Sequence, residues 1–170
     1  MRALRDRIMV LVFVGCACDG DGGGGGGGGE LGDSECELAI SLTGALEWTS
    51  AAAPACLIPF GGDVGISMLY GLVDDGPVER VEIEVAEVTE GEVGEFPAAV
   101  TVRAHDGRSW TSSSCVVVID AHEYVGEDEF SRMYQVTGSG GCATPAAPSG
   151  GDASGELEVA DFQFRFPPSW

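Results

Sequence analysis

From residue 36 onward, apolar and polar residues alternate with a period of two, which is the spacing of a strand with one buried face. The longest alternating run covers residues 64–72. Shorter runs cover residues 38–42, 81–85, 98–102 and 134–137. No stretch of ten residues places its apolar positions at helical spacing. We therefore predict an all-β domain, an antiparallel β-sandwich of about eight short strands.

Two runs depart from simple alternation. Residues 115–119, with the sequence CVVVI, are apolar at both parities, which predicts a central strand. In the last run the apolar residues change parity, from Leu157 and Val159 to Phe162, Phe164 and Phe166. A bulge near residues 160–161 would keep both sets facing the core.

Segments rich in glycine and aspartate separate the predicted strands and indicate turns. They lie at residues 61–63, 74–77, 106–107 and 138–141. Residues 122–132, HEYVGEDEFSR, are predicted to form a polar loop between two strands of a hairpin. Residues 143–155 are predicted to be a long flexible connection into the final strand.

The first 15 residues have a different pattern. Residues 1–7 carry three arginines, and residues 8–15 form an uninterrupted apolar run. The run is too short for a membrane-spanning helix, which needs about 20 residues. A positive head followed by a short apolar run is the layout of a secretory signal peptide.

The segment Phe13-Val14-Gly15-Cys16 resembles the lipobox of bacterial lipoproteins. This resemblance implies that Cys16 receives a diacylglycerol, that residues 1–15 are removed, and that Cys16 becomes the acylated N-terminus. Cys18 is the alternative lipidation site. With Cys16 modified, the next residue is Ala17, which implies sorting to the outer membrane of a Gram-negative envelope. With Cys18 modified, Asp19 follows, which resembles an inner-membrane retention signal.

These patterns divide the chain into three predicted parts. Residues 1–15 are predicted to be a signal peptide, residues 16–34 the lipidated cysteine with a glycine-rich linker, and residues 35–170 the all-β domain. Residues 22–29 are all glycine, and such chain behaves as a flexible coil. The r.m.s. span of residues 19–34 is roughly 20–25 Å, enough to lift a domain clear of lipid head groups.

Four further cysteines lie within the predicted domain, and an exported protein meets conditions in which disulfides persist. Four cysteines allow three pairings. A hairpin centred between residues 128 and 129 places Cys115 opposite Cys142, and a hairpin of residues 38–42 with 57–60 brings Cys36 near Cys56. We predict the disulfides Cys36–Cys56 and Cys115–Cys142. Zinc is not expected, because these cysteines lack the close pairs of a zinc site.

The chain is strongly acidic, with 28 Asp and Glu against 8 basic residues and a formal net charge of −20. Such a charge repels nucleic acid, so no nucleic-acid partner is expected. It attracts cations, and acidic loop residues are suitable calcium ligands. The weak calcium candidates are Asp74, Asp75, Glu127, Asp128 and Glu129. No other cofactor is predicted.

No residue pattern predicts catalysis. His105 and His122 fall at a predicted turn and a hairpin end, and no Gly-x-Ser-x-Gly motif occurs. Trp48 and Trp110 would form a sugar-binding platform if both were exposed and coplanar. We therefore expect a non-enzymatic, envelope-anchored lipoprotein with a structural or interaction role. The alternative is a surface module that binds carbohydrate or a partner protein, either with or without calcium.

Overall fold

The computed structural model describes residues 36–50, 55–57, 65–72 and 76–170. The predicted signal peptide, both candidate lipidation sites Cys16 and Cys18, the linker, and the calcium candidates Asp74 and Asp75 lie outside these residues. What the sequence predicts for them therefore stays a prediction.

Every regular element in the described ranges is a β-strand. The strands are β1 (Glu37–Ala39), β2 (Ser41–Gly44), β3 (Trp48–Thr49), β4 (Ala55–Leu57), β5 (Ile66–Gly71), β6 (Val78–Val85), β7 (Gly94–Ala104), β8 (Ser109–Glu127), β9 (Arg132–Cys142), β10 (Ala147–Gly150), β11 (Leu157–Val159) and β12 (Phe162–Phe166). Among the residues described, none belongs to a helix that could cross a membrane.

The strands form two antiparallel sheets. The large sheet has nine strands, eight of them in the order β1-β12-β9-β8-β7-β6-β5-β4, and β10 pairs with β8 beside this path. The small sheet has the order β11-β2-β3. The predicted all-β class is confirmed. The strand count exceeds the expected eight, because two of the alternating runs are each divided between the two sheets and because the short strands β3 and β10 were not predicted.

The first divided run is residues 38–42. Leu38, Ile40 and Leu42 share one parity and are all buried. Leu38 nevertheless pairs in the large sheet, with Phe164, whereas Leu42 pairs in the small sheet, with Val159. The chain passes from one sheet to the other at Ile40, a change that alternation alone does not reveal.

The second divided run contains the change of parity. Leu157 and Val159 belong to β11 of the small sheet, and the three phenylalanines belong to β12 of the large sheet. Residues 160–161 are thus a passage between sheets, and the predicted bulge within one strand is wrong. The expected consequence still holds, because both sets of side chains face the core.

The β8–β9 hairpin is longer than predicted. The expected polar loop over residues 122–132 is largely strand, and only residues 128–131, which we call the tip, lie outside β8 and β9. The register shifts twice along β8, between Ile119 and Ala121 and between Tyr124 and Gly126. These two extra residues on β8 move the centre of the hairpin to between residues 129 and 130 while leaving Cys115 opposite Cys142.

The glycine-rich segment 138–141 is part of β9 and not a turn, which corrects the prediction. A Cβ atom at Gly140 would lie 2.5 Å from Cζ of Phe162, and one at Gly138 would lie 2.8 Å from Cζ of Phe164 and closer still to the Val118 carbonyl oxygen. The two phenylalanine rings therefore occupy the space that side chains on β9 would need. Glycine is accepted in this strand because aromatic rings from β12 cover it.

Residues 143–155 were predicted to be a flexible connection, but part of this segment is a paired strand. They contain β10, in which Ala147 pairs with Thr111 and Pro148 pairs with Trp110 of β8. Since β9 pairs with β8 from Cys115 to Glu127, β9 and β10 follow one another along the same edge of β8.

The large sheet curls until its distant strands meet. The Tyr70 hydroxyl on β5 donates to the backbone carbonyl of Arg165 on β12 (3.4 Å), and the rings of Tyr70 and Phe166 make an edge contact at 5.4 Å. The disulfide Cys36–Cys56 joins the residue before β1 to β4, with 5.7 Å between the two Cα atoms. The first and last strands of the sheet order are thereby linked covalently.

Both predicted disulfides, Cys36–Cys56 and Cys115–Cys142, are present. The geometry expected for the first is wrong for the described residues, because residues 38–42 pair with β12, β11 and β3, and Leu57 pairs with Leu69 of β5. β1 pairs with β12, and β4 pairs with β5. Cys36 and Cys56 come together through the curl of the whole sheet.

The core fills the inside of the curl with alternate residues from every long strand, among them Met68, Val81, Val100 and Val117. β8 lies centrally in the sheet order, as predicted. Its outward residues Val116 and Val118 remain 41% and 36% exposed, so only one face of this strand is fully covered.

Candidate functional site

The tip of the β8–β9 hairpin is held by one carboxylate. Oδ1 of Asp128 accepts the backbone N–H groups of Phe130 and Ser131, both at 2.8 Å, and the Ser131 hydroxyl at 3.1 Å. The Asp128 N–H also donates to the Ser131 carbonyl at 2.9 Å. These backbone hydrogen bonds lower the pKa of Asp128, which keeps the carboxylate ionised and the turn closed.

This closed turn presents a large apolar side chain to solvent. Phe130 is 88% exposed, and Tyr124 and Val125 on the adjoining part of β8 are each about half exposed. Because Asp128 fixes the backbone of this turn, Phe130 cannot move into the core unless the Asp128 hydrogen bonds break. The side chains of Phe130, Tyr124 and Val125 are named the tip patch below.

Beneath the tip lies a group of polar and aromatic side chains, Glu90, His122, Arg132, Tyr134 and Trp170, which we call the hairpin-end cluster. Oε1 of Glu90 accepts Nη1 of Arg132 at 2.7 Å and also accepts the Tyr134 hydroxyl. Trp170 lies against His122 and Tyr134, with ring centroids 4.7 Å and 5.5 Å away. The loop between β6 and β7 is thereby fastened to the β8–β9 hairpin.

His122 has backbone partners at both ring nitrogens. The Gly91 N–H points at Nε2 (3.4 Å), and Nδ1 lies 3.1 Å from the Glu92 carbonyl oxygen. Only the neutral ring with its proton on Nδ1 satisfies both contacts, since Nε2 must accept and Nδ1 must donate. Burial lowers the pKa of His122, which favours this neutral form.

The protonation states of the other cluster residues are fixed near neutral pH. The hydrogen bonds from Tyr134 and Arg132 lower the pKa of Glu90, and the same carboxylate raises the pKa of Tyr134 and of Arg132. Glu90 therefore stays ionised while the phenol and the guanidinium keep their protons. The cluster therefore braces the hairpin through a charge-assisted hydrogen-bond network.

An open cavity of about 460 Å³ lies beside the cluster. Its lining combines the carboxylate residues Glu90, Glu127 and Asp128 with Phe130, Ser131, Arg132 and Trp170. The Glu90 carboxylate is already paired with Arg132, and Asp128 is used by the turn. The cavity therefore adjoins the tip patch, because the exposed Phe130 belongs to both.

The tryptophan platform is not formed. Trp110 is fully buried, and its indole Nε1 donates to the Gly155 carbonyl at 3.2 Å. Trp48 is partly buried and packs against the core. The prediction of an exposed Trp48–Trp110 pair is wrong, because Trp110 faces the inside of the curled sheet and has no surface to offer a sugar ring.

The two histidines lie apart in the structure. His105 is exposed in the turn between β7 and β8, whereas His122 is buried and held by the backbone of residues 91–92. The calcium candidates Glu127, Asp128 and Glu129 all lie at or beside the tip. Within the described ranges, no three His, Cys, Asp or Glu residues converge as a metal site would require.

Sequence reasoning missed the hairpin-end cluster because its members are distant along the chain. Glu90 lies 42 residues from Arg132 and 44 residues from Tyr134, so no local spacing connects them. One sequence feature did point to the tip, since Phe130 is a lone large apolar residue within the acidic segment Glu127–Arg132.

We found no significant match between this chain and any protein-family model, curated protein or solved structure. The fold and the tip with its supporting cluster are therefore the basis for proposing a function.

Proposed function

We propose that this chain is a lipoprotein anchored in a Gram-negative cell envelope, with a non-catalytic role in binding another protein through the tip patch. The anchor is supported by the lipobox-like segment ending at Cys16 and by the glycine-rich linker after it. Two disulfides in the domain suit an oxidising compartment, where such bonds persist.

The observation that carries the binding role is the exposure of Phe130 on a braced turn. Large aromatic side chains that protrude from a rigid surface are typical of residues that dominate protein interfaces. The hydrogen bonds of Asp128 and of the hairpin-end cluster hold Phe130 in place before a partner arrives, so little conformational freedom is lost on binding.

The charge around the tip patch defines the partner. Glu127, Asp128 and Glu129 immediately precede Phe130 in the chain, and the whole chain has a formal charge of −20. An anionic lipid surface would be repelled, whereas a protein with an apolar pocket and a basic rim would be attracted. The partner we propose is therefore a protein with such a pocket. Calcium binding at these carboxylates is the alternative, and a shift in melting temperature at millimolar calcium would support it, whereas no shift would dismiss it.

The anchor is tested by expressing the full chain, the variant Cys16→Ser and the variant Cys18→Ser, and separating the membranes from soluble fractions. We expect Cys16→Ser to be released from the membranes and to lose incorporation of labelled palmitate, while Cys18→Ser keeps both. If Cys18→Ser alone is released, Cys18 is the anchor. Retention of both single variants and of the double variant would refute the lipoprotein proposal.

The tip patch is tested with a photo-crosslinking amino acid at position 130 in intact cells. We expect a discrete crosslinked species from position 130 and none from position 57, where Leu57 is an apolar residue, 51% exposed, on the edge strand β4. Glu127→Lys together with Glu129→Lys should weaken the crosslink. Equal crosslinking from both positions would contradict a specific interface at the tip.

A further inference from the structure

A second recess lies away from the tip, at the place where the chain passes between the two sheets. It has a volume of about 700 Å³, within the range of small-molecule sites. Its lining includes Ser41, Thr49 and Ser50, hydroxyl-bearing residues near the first passage. It also includes Val116 and Val118 from the outward face of the large sheet. We call this recess the passage cleft.

Ser50 gives the passage cleft an unsatisfied hydrogen-bonding group. The residue is only 8% exposed, and its Oγ is the one buried side-chain nitrogen or oxygen in the described ranges that has no hydrogen-bond partner. The Ser50 N–H donates to the Ile40 carbonyl at 2.9 Å, so the backbone holds the residue in place. A buried hydroxyl without a partner is unfavourable, and a ligand that provides one removes this penalty.

The rest of the lining is rich in groups that both donate and accept. The hydroxyls of Ser41 and Thr49 lie 3.1 Å apart, and Ser139, Asp161 and Gln163 add a third hydroxyl, a carboxylate and an amide. Hydroxyls can turn to donate or accept as a ligand requires. Val116 and Val118, which are 41% and 36% exposed, add a small apolar surface to the lining.

The lining excludes several ligand classes. No arginine is among its described residues, and Asp161 carries a negative charge, so phosphates and acidic sugars are disfavoured. The lining also contains no group of three metal-binding side chains. A ligand with many hydroxyls and an apolar C–H face matches the polar groups and the two valines of this lining.

We propose that the passage cleft binds an uncharged saccharide. The Ser50 hydroxyl, the Ser41–Thr49 pair and Asp161 hydrogen-bond to sugar hydroxyls, while Val116 and Val118 contact the C–H face of the ring. This site replaces the tryptophan platform expected from sequence. It is independent of both the anchor and the tip patch, because none of its residues belongs to either.

The first test titrates the full chain, purified without glycoside detergents, with glucose, galactose, N-acetylglucosamine, maltose and cellobiose up to about 50 mM. The valine methyl signals are followed by NMR. We expect at least one saccharide to shift the Val116 and Val118 methyl signals saturably while that of Val93, an exposed valine outside the cleft, stays in place. If none of the saccharides moves these two signals, the proposal is wrong.

The second test uses Ser50→Ala. This change removes the unpaired hydroxyl, so the melting temperature of the free protein should stay equal or rise, while saccharide affinity falls at least about fivefold. The matched control is Ser112→Ala, which removes a buried hydroxyl that donates to the Thr144 carbonyl at 3.1 Å outside the cleft. The control should lower the melting temperature and leave the affinity unchanged. Unaltered affinity in Ser50→Ala would overturn the role assigned to this hydroxyl and, with it, the proposed site.

Discussion

His122 illustrates how the fold decides the chemistry of a single residue. In the sequence, the histidine could serve as a base, a metal ligand or a structural residue. In the structure, a backbone N–H faces one ring nitrogen and a backbone carbonyl faces the other, so a proton added at Nε2 would point at the donor on Gly91. The residue is therefore a structural element that tolerates only its neutral form.

We predict that His122 makes the domain less stable below about pH 6.5. Its pKa is lowered in the folded state, so the unfolded chain binds the proton more readily and acid favours unfolding. The stability that neutral His122 contributes is complete above this pH and declines as the pH falls toward the folded-state pKa. The wild-type melting temperature should fall by a few degrees between about pH 7.5 and about pH 5.5.

The variant His122→Gln should be less stable than the wild type at both pH values but should lose much less stability between them. His105→Gln, which removes the exposed histidine, is the control and should behave as the wild type. Thermal unfolding followed by circular dichroism measures all three. An equal fall in His122→Gln would show that other groups, such as the carboxylates around the cluster, carry the pH dependence.

Individual residues also show where sequence reasoning stops. Tyr70 is predicted to be buried from its parity, and it is, yet its contact with Phe166 depends on a curl that no local pattern encodes. Trp110 lies at the start of β8, and the sequence leaves its exposure open. It is fully buried, with β10 paired alongside it and its indole N–H donating to the Gly155 carbonyl. Parity predicts which face of a strand is buried but not which other element covers it.

At the level of elements, most strands followed from alternation, whereas their assignment to sheets did not. β1 with β2, and β11 with β12, each read as one run in the sequence, because the chain keeps its apolar side toward the same core while changing sheets. Gly138 and Gly140 have the composition of a turn but lie in β9, since the rings of Phe164 and Phe162 replace the missing side chains. Such compensation between strands is invisible along the chain.

The two disulfides connect elements in different ways, and this leads to a second prediction. Removing Cys36–Cys56 by the double change Cys36→Ser and Cys56→Ser should cost about 3 kcal/mol of unfolding free energy, from the entropy of a loop with a sequence separation of 20. Because this bridge links the two ends of the sheet order, amide hydrogen exchange should become faster in β1 and β4 in particular.

The matched control is the double change Cys115→Ser and Cys142→Ser. Its sequence separation is 27, so the entropic loss should be similar. The two strands remain held by the long β8–β9 ladder, and exchange there should stay slow. Urea unfolding and hydrogen-exchange mass spectrometry measure both variants. The same local pattern of exchange in the two variants would contradict a special role for Cys36–Cys56 in closing the sheet.

For the whole molecule, the dominant property is charge. A formal charge of −20 on 170 residues opposes compaction, because like charges are brought closer on folding. Four ion pairs are present among the described residues, and all involve partly exposed side chains. Exposed pairs of this kind contribute little to stability, so they do not offset the general repulsion.

We therefore predict that salt stabilises this domain. Raising NaCl from about 0.02 M to about 0.3 M shortens the screening length severalfold and should raise the melting temperature by a few degrees at neutral pH. Near the isoelectric point of about 4.1 the same addition should have little effect, because the net charge is then close to zero. A melting temperature that falls with salt at neutral pH would mean that attractive ion pairs outweigh repulsion.

The pairing of β1 with β12 sets the order in which the chain can complete its fold. Residues 37–39 pair with residues 163–165, and β1 has no other neighbour among the described strands, so it stays unpaired until β12 is present. A chain threaded through a membrane from its N-terminus would thus reach the far side without a finished sheet. Folding and the closing of Cys36–Cys56 would then coincide with arrival in the compartment where the disulfide forms.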